Sequence, residues 1–240
     1  MTFAPGFLSV IIPTFNAEAY LAETLESVLR QNWEPLEILV VDDGSSDRSM
    51  AVAENFGHRV RIIACPHRGL AATRNSGIAA ARGGFLLHLD ADDLLTPNSI
   101  SVRMAILLAE PQLDMVVGKL ECFVSPEIPA DECARYVLPP APQLGHLPGA
   151  AIIRASTFLK FGVLNEDFVV NADLDWSVRV KDEGANICQL DDVVVKRRIH
   201  GNNLTIVHNQ ELDTTRLTIM RASLARRRKA GMDGTLVEHR

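Results

Sequence analysis

Three runs of strand length in the first half of the chain, each largely apolar, stop abruptly against an unusual polar turn. Residues 8–12 give way to Pro13-Thr14-Phe15-Asn16, residues 38–41 to Asp42-Asp43-Gly44-Ser45-Ser46, and residues 85–89 to Asp90-Ala91-Asp92-Asp93. Helical patterns separate the runs. Leu21, Leu25, Val28 and Leu29 fall on one face of a helix expected over residues 17–30, with Asn16 as its N-cap. A second helix is expected over residues 47–56, closed by Gly57, and residues 60–64 read as another strand. A third helix, over residues 69–81, is stopped by Gly83-Gly84. Pro13, with its fixed φ and missing N–H, is expected to end the first strand. Strand and helix in alternation predict an α/β fold whose central sheet is mainly parallel and wound on both faces. In such sheets ligands sit beyond the carboxyl ends of the strands, where all three polar turns lie.

The third turn places the carboxylates Asp90, Asp92 and Asp93 within four positions. Two carboxylates about 4 Å apart repel by roughly 1 kcal/mol in water and about 4 kcal/mol at a protein-like dielectric. Such a group needs something positive. All-oxygen donors favour a hard cation, Mg²⁺ or Mn²⁺, which substrate phosphates usually complete. An acidic turn after an edge strand is the plainer alternative. Arg74 shares a helix face with Leu70 and Ile78, because a step of four residues turns by only about 40°. A guanidinium between two core-facing side chains needs an anion, unless it pairs structurally or snorkels to solvent.

The second half is less regular. Residues 115–120 read as a strand, and six of the twelve prolines then fall in residues 126–148, marking a long non-helical connection. Apolar character resumes at residues 149–153, and a short helix is expected over residues 156–161. Residues 171–180 have helical spacing, with Asp173 and Asp175 near the start, where the helix dipole favours acids. Strand pieces at residues 187–190 and 193–195 lead to a final helix over residues 211–229, with Leu217, Met220 and Leu224 on one side. Its end, Arg226-Arg227-Arg228-Lys229, suits the C-terminal dipole, or alternatively an anionic membrane surface or a partner.

Composition bounds the function. A chain of 240 residues can bury one large core, with or without a small appendage. Its 24 basic against 30 acidic side chains leave no cationic surplus for a nucleic-acid backbone, so nucleic acid is not an expected partner. No apolar stretch reaches the roughly 18–20 residues that span a bilayer, and no signal-peptide pattern opens the chain. A cytoplasmic location is the resulting expectation. Cys65, Cys122, Cys133 and Cys188 form no C-x-x-C pair and are expected to be reduced.

Four blocks now carry a resemblance: Ser9-Val-Ile-Ile-Pro-Thr-Phe-Asn16, Val40-Val-Asp-Asp-Gly-Ser45, Arg68-Gly-Leu-Ala-Ala-Thr-Arg-Asn75 and Leu89-Asp-Ala-Asp-Asp93. In this order and spacing they resemble family 2 glycosyltransferases, with a looser match continuing to about residue 205. The resemblance implies a GT-A fold, with a Rossmann-like, mainly parallel central sheet, helices on both faces and a C-terminal helical segment. It implies one domain over residues 1–210, with a nucleotide-binding half over about 1–100 and an acceptor-binding half over about 101–210, and then a helical extension over 211–240. The implied activity is inverting transfer of a sugar from a nucleoside diphosphate, UDP by preference, with Mn²⁺ or Mg²⁺.

Carried over by position, Pro13, Thr14 and Phe15 border the nucleobase, Asp43 accepts a hydrogen bond from it, and Asp42 lies beside it. Arg74 lies near the nucleotide. Asp90-Ala91-Asp92 matches the family's D-x-D motif, with Asp90 towards the ribose or metal and Asp92 as direct metal ligand; Asp93 supports them. His67 stands where the family often has Asn. In the acceptor half the family's Glu-Asp pair corresponds to Ala172-Asp173, so Asp173 is the expected general base and Asp175 the fallback. Trp176 is expected either under a sugar ring or in the core. Arg198-Ile-His-Gly-Asn-Asn203 resembles the family's closing segment, where His200 would complete the metal shell, bond a phosphate oxygen, or be merely structural. No Gln-x-x-Arg-Trp sequence occurs, which points away from a processive synthase.

The expected partners are a nucleotide-sugar donor and an acceptor that is a saccharide, lipid-linked or small molecule. A peripheral membrane contact through Arg226 to Lys229 and a homodimer stay open. Two rival readings are a catalytically silent nucleotide-sugar-binding module, because Ala172 replaces an acid, and a haloacid-dehalogenase-like phosphohydrolase, suggested by Asp90-Ala91-Asp92 after a strand.

Overall fold

The computed structural model describes residues 6–145, 148–207 and 209–231. In chain order the elements are β1 (Leu8–Thr14), α1 (Leu21–Leu29), β2 (Leu36–Asp42), α2 (Ser49–Glu54), β3 (Arg61–Ala64), α3 (Leu70–Ala80), β4 (Phe85–His88), β5 (Leu94–Leu95) and α4 (Ser99–Ala109). There follow β6 (Met115–Val124), α5 (Ala130–Cys133), β7 (Gln143–Leu144), β8 (Ala151–Arg154), α6 (Ala155–Phe161), α7 (Ala172–Asp182), β9 (Ile187–Ile199), α8 (Leu204–Val207) and α9 (Asn209–Lys229).

One sheet runs in the order β3-β2-β1-β4-β8-β6-β9-β5, with β7 paired to β6. Its first four strands are parallel, and β1 lies at their centre with every residue buried. Continuous apolar runs suit strands covered on both faces. Beyond β4 the sheet becomes mixed: β8 is antiparallel to β4 and β6, β9 is parallel to β6, and β5 is antiparallel to β9. The parallel character expected of the whole sheet is thus concentrated before residue 89. The two strand pieces expected at 187–190 and 193–195 are one strand, β9, irregular where it passes Lys119 of β6.

Two local expectations are corrected. Pro13 does not end β1, which continues to Thr14 in register with Asp42. Ile11 O accepts from Leu89 on the β4 side, and Pro13 faces the same way as Ile11 because strand groups alternate. The β1–β4 register stops at Ile11, so no ladder partner is missing an N–H at Pro13. Asn16 is not the N-cap of α1, which starts only at Leu21. It adopts φ 50° and its Oδ1 accepts the Ser46 N–H at 2.8 Å, tying the first polar turn to the second.

Gly77 is what lets α3 lie close to β1. A Cβ there would sit 2.3 Å from Ile11 Cγ2, so only glycine permits this approach. The approach brings Arg74, on the same helix, over the carboxyl end of β4.

Candidate active site

The three polar turns meet at one rim. Thr14 O accepts the Asp43 N–H at 2.8 Å, and Thr14 itself is buried, as are Asp42 and Asp43. The Asp42 carboxylate accepts the Ser45 N–H and shapes its own turn. Asp43 reaches across to the start of α3: Oδ1 accepts the Arg68 N–H at 2.8 Å and Oδ2 the Gly69 N–H at 3.0 Å. His67 Nδ1 lies 2.9 Å from Oδ2, so Nδ1 carries the proton and one lone pair on Oδ1 is left over. Phe15, half exposed, stacks on His67 with ring centroids 4.5 Å apart. The position where the family often carries Asn is therefore filled by a ring that extends an aromatic ledge beside Asp43.

The acidic turn lies next along the rim. Asp90, Asp92 and Asp93 offer carboxylate oxygens that all lie within 4.8 Å of one another. Arg74, 3% exposed, donates to Asp90 Oδ1 at 2.6 Å. Arg74's own proton is held more tightly than usual, because the charges of Asp90, Asp173 and Asp93 outweigh its burial. Burial, followed by the charges of Asp92 and Asp90, pushes the Asp93 carboxyl well above the usual carboxylate range. Burial also raises Asp90, opposed by Arg74 and reinforced by Asp92. Ala91, between them, is buried, and its carbonyl accepts from Thr24 at 2.9 Å, which locks the turn onto α1.

The antiparallel pairing of β5 with β9 brings the end of β9 alongside this turn. His200 Nε2 lies 2.9 Å from Asp92 Oδ2, and Asn203 Nδ2 donates to the same oxygen at 3.1 Å. His200 Nδ1 accepts the Asn202 N–H at 3.2 Å, which assigns the proton to Nε2 and makes the ring a donor to Asp92. As placed, His200 orients Asp92; acting as a direct metal ligand would cost it the Asn202 bond. Arg198 forms the floor. Its N–H donates to Asp93 Oδ1 at 2.9 Å, its Nε to Asp92 O at 3.0 Å, and its guanidinium also binds Ser125 and Glu23 between the rings of Tyr20 and Phe123.

Asp173, in the first turn of α7, is partly exposed, and its charge is felt at both Arg74 and Asp90. Its carboxylate makes no hydrogen bond among the described residues. Asp175 is not brought to the cluster: it is buried, its carboxyl is raised by burial, and its charged neighbours are Arg179 and Arg226. Two helix positions turn about 200°, so the two acids face opposite ways. Trp176 is a core residue. It is fully buried, stacks on Phe158 at 4.7 Å and donates to Gly162 O at 2.7 Å, so it offers no platform to a sugar.

Three contributors lay outside the expected site. Arg198 and Asn203 sat within the closing segment without a role, and nothing local distinguishes them from surface polar residues. Asn75 holds the loop before α7: its Nδ2 donates to Leu164 O at 3.0 Å and its Oδ1 accepts the Leu164 N–H at 3.1 Å. Glu166 of that loop binds Arg68 at 2.6 Å and also accepts from Asn75, so the loop leading to Asp173 is tied to α3 and to the turn before it.

Asp90, Asp93 and Asp173 therefore act on Arg74, and Asp92 brings the carboxyl side chains above the Arg198 floor to four, an excess of acidic groups in a partly buried hollow. Oxygen donors and excess negative charge fit a hard divalent cation. Asp92, oriented by His200 and Asn203, and the free oxygen of Asp90 are the groups that would hold it.

Comparison with known proteins bears on the family and the fold. Residues 9–126 match the model of Glycosyl transferase family 2. The uncharacterized glycosyltransferase EpsJ of Bacillus subtilis is 37% identical over 112 residues, 45% of this chain and 32% of EpsJ. Glycosyltransferase GlyG of Streptococcus pneumoniae is 35% identical over 115 residues, 46% of this chain and 38% of GlyG. The chain thus spans about a third of the length of these curated relatives. Among solved structures, S. aureus TarS 1-349 in complex with UDP superposes with a TM-score of 0.66 at 21% identity, over 81% of this chain and 61% of that one. The same protein in complex with UDP-GlcNAc gives 0.65 at 21% identity, over 82% and 59%. With the four blocks at one rim of a GT-A fold shared with TarS, residues 9–126 of the chain form a glycosyl transferase family 2 domain.

Proposed function

We propose that the protein is a non-processive, inverting glycosyltransferase that moves a sugar from a nucleoside diphosphate, UDP by preference, to an acceptor hydroxyl. The observation that carries this is the cluster of Asp90, Asp92 and Asp93 with Arg74 beyond the carboxyl end of β4, close enough to Asp173 for its charge to act on Arg74. The family match and the nucleotide-bound complexes of TarS support the same reading. They do not favour the silent module or the phosphohydrolase.

In the proposed reaction the base borders the ledge of Phe15 and His67, and Asp43 accepts its imide proton through the remaining Oδ1 lone pair. Arg74 neutralises Asp90 and leaves its second oxygen for ribose or cation. A bound Mn²⁺ or Mg²⁺ supplies charge neutralisation of the diphosphate, which makes it a better leaving group. Asp173 takes the proton of the incoming hydroxyl as its oxygen attacks the anomeric carbon opposite the diphosphate. The bond to the diphosphate breaks, and its electron pair leaves with the phosphate oxygen. Nucleotide-binding residues thus come from 1–100 and the base from 101–210.

The test is a thermal-shift series with UDP-, GDP- and dTDP-sugars, each with and without Mn²⁺, followed by a nucleotide-release assay. A ligand that binds the folded state raises apparent stability. The expected result is a shift with one nucleotide family that requires the metal. Equal shifts for all three, or none with metal, would overturn the reading.

A further inference from the structure

The helix α9 is built with two faces. Its inner face carries Leu212 and Ile219, both buried, together with Arg226, whose Nε donates to Asp182 of α7 at 3.1 Å. Asn171, which precedes α7, donates to Thr215 at 2.7 Å on that same face. The opposite face presents Leu217, Met220 and Leu224, each more than half exposed. At 100° per residue these three lie within a 60° arc. Arg221 and Arg228 border the arc on one side and Arg216 and Arg227 on the other, all of them exposed. The exposed Leu204, Ile206 and Val207 of α8 precede it, beginning one residue after Asn203 of the acidic site.

An apolar stripe flanked by arginines on both sides does not suit solvent. It does not suit a second copy of itself either, because pairing two such faces sets arginines against arginines. The chain as a whole is acidic, −6 at neutral pH, yet this helix holds six basic residues against two acidic ones. Charge of that sign beside exposed leucines is the pattern of a helix lying in a lipid interface, with its apolar side chains among the acyl chains and its arginines at the headgroups. Arg226, expected from sequence to join this contact, is instead turned inward to Asp182.

We infer that the outward face of α9, centred on Leu217, Met220 and Leu224, docks on an anionic membrane surface, with Arg216, Arg221, Arg227 and Arg228 contacting lipid phosphates. Because α8 begins beside Asn203, docking would hold the acidic site close to that surface. The contact does not depend on the proposed transfer reaction and is tested without it.

The experiment is co-sedimentation of the full chain with vesicles of phosphatidylcholine alone and of phosphatidylcholine with phosphatidylglycerol, at low and high salt. Two variants accompany the wild type, Leu217→Ser with Leu224→Ser, and Arg221→Glu with Arg228→Glu. All four positions are exposed, and thermal melting checks that both variants fold. The expected result is binding to the anionic vesicles only, weakened by salt and at least roughly tenfold weaker in each variant. Three outcomes overturn the inference: equal binding to neutral vesicles, no binding to anionic ones, or a concentration-dependent dimer in ultracentrifugation that the serine variant dissolves.

Discussion

His200 and Asp92 are 108 residues apart in sequence and meet at 2.9 Å, with the imidazole Nε2–H pointed at the carboxylate and Nδ1 fixed by the Asn202 N–H. Orientation of a metal-holding carboxylate by a neighbour of this kind typically carries 10–100-fold, roughly, in metal affinity. His200→Ala is therefore expected to weaken Mn²⁺ binding to that degree while leaving the fold intact, and Asn203→Ala to weaken it less. Asp92→Asn should abolish both metal binding and transfer. Calorimetric titration with Mn²⁺ checks the order; equal affinity in wild type and His200→Ala removes the orienting role.

Asp173 and Asp175 make a paired test. Only Asp173 shares the electrostatic field of Arg74 and Asp90, whereas Asp175 sits with Arg179 and Arg226. Asp173→Asn is expected to spare donor binding and lower turnover by roughly a hundredfold or more, the usual contribution of a general base. Asp175→Asn should leave turnover within a few-fold and change stability instead. Single-turnover kinetics beside donor binding separates the two, and a near-wild-type rate for Asp173→Asn would assign the base elsewhere.

His88, the last residue of β4, is buried with no hydrogen bond at either ring nitrogen and packs edge-on against Phe158 at 6.0 Å. Burial, with Arg74 nearby, pushes its pKa down to about 3 from 6.5. The unfolded chain then binds a proton that the folded site refuses, so this residue makes stability fall as pH drops from about 6.5 towards about 3. His88→Leu should flatten that part of the curve and, since it removes unpaired polar atoms, stabilise by about 1 kcal/mol at neutral pH. Urea midpoints across the acid range provide the measurement; an unchanged slope contradicts it.

Gly77→Ala sets two effects against each other. Alanine gains about 1 kcal/mol of helix propensity. Its Cβ, however, would lie 2.3 Å from Ile11 Cγ2 and 3.2 Å from Val41 Cγ2. Forcing an atom into a packed contact costs typically 1–3 kcal/mol, roughly, and here it meets a buried strand that cannot give way. A net loss of about 1 kcal/mol is expected, read as a lower urea midpoint at unchanged slope. Donor affinity should fall with it, because Arg74 rides on the same helix.

The parallel half of the sheet, its helices and the rim of polar turns are legible in the chain because each depends on neighbours a few residues apart. Strand-length apolar runs and a step of four along a helix suffice to place Asp43, Asp90 and Arg74 at one end of a sheet. Tertiary structure alone decided what those groups touch. A two-residue strand, β5, pairs with β9 and so delivers Arg198, His200 and Asn203 to the acidic turn, a meeting that no local pattern encodes. Packing of α7 against α6 and α9 likewise decided that the charge of Asp173 acts on Arg74 while Asp175 sits with Arg179 and Arg226 and Trp176 lies in the core. Periodicity names the face of an element that is buried; what lies opposite depends on contacts made across the whole chain.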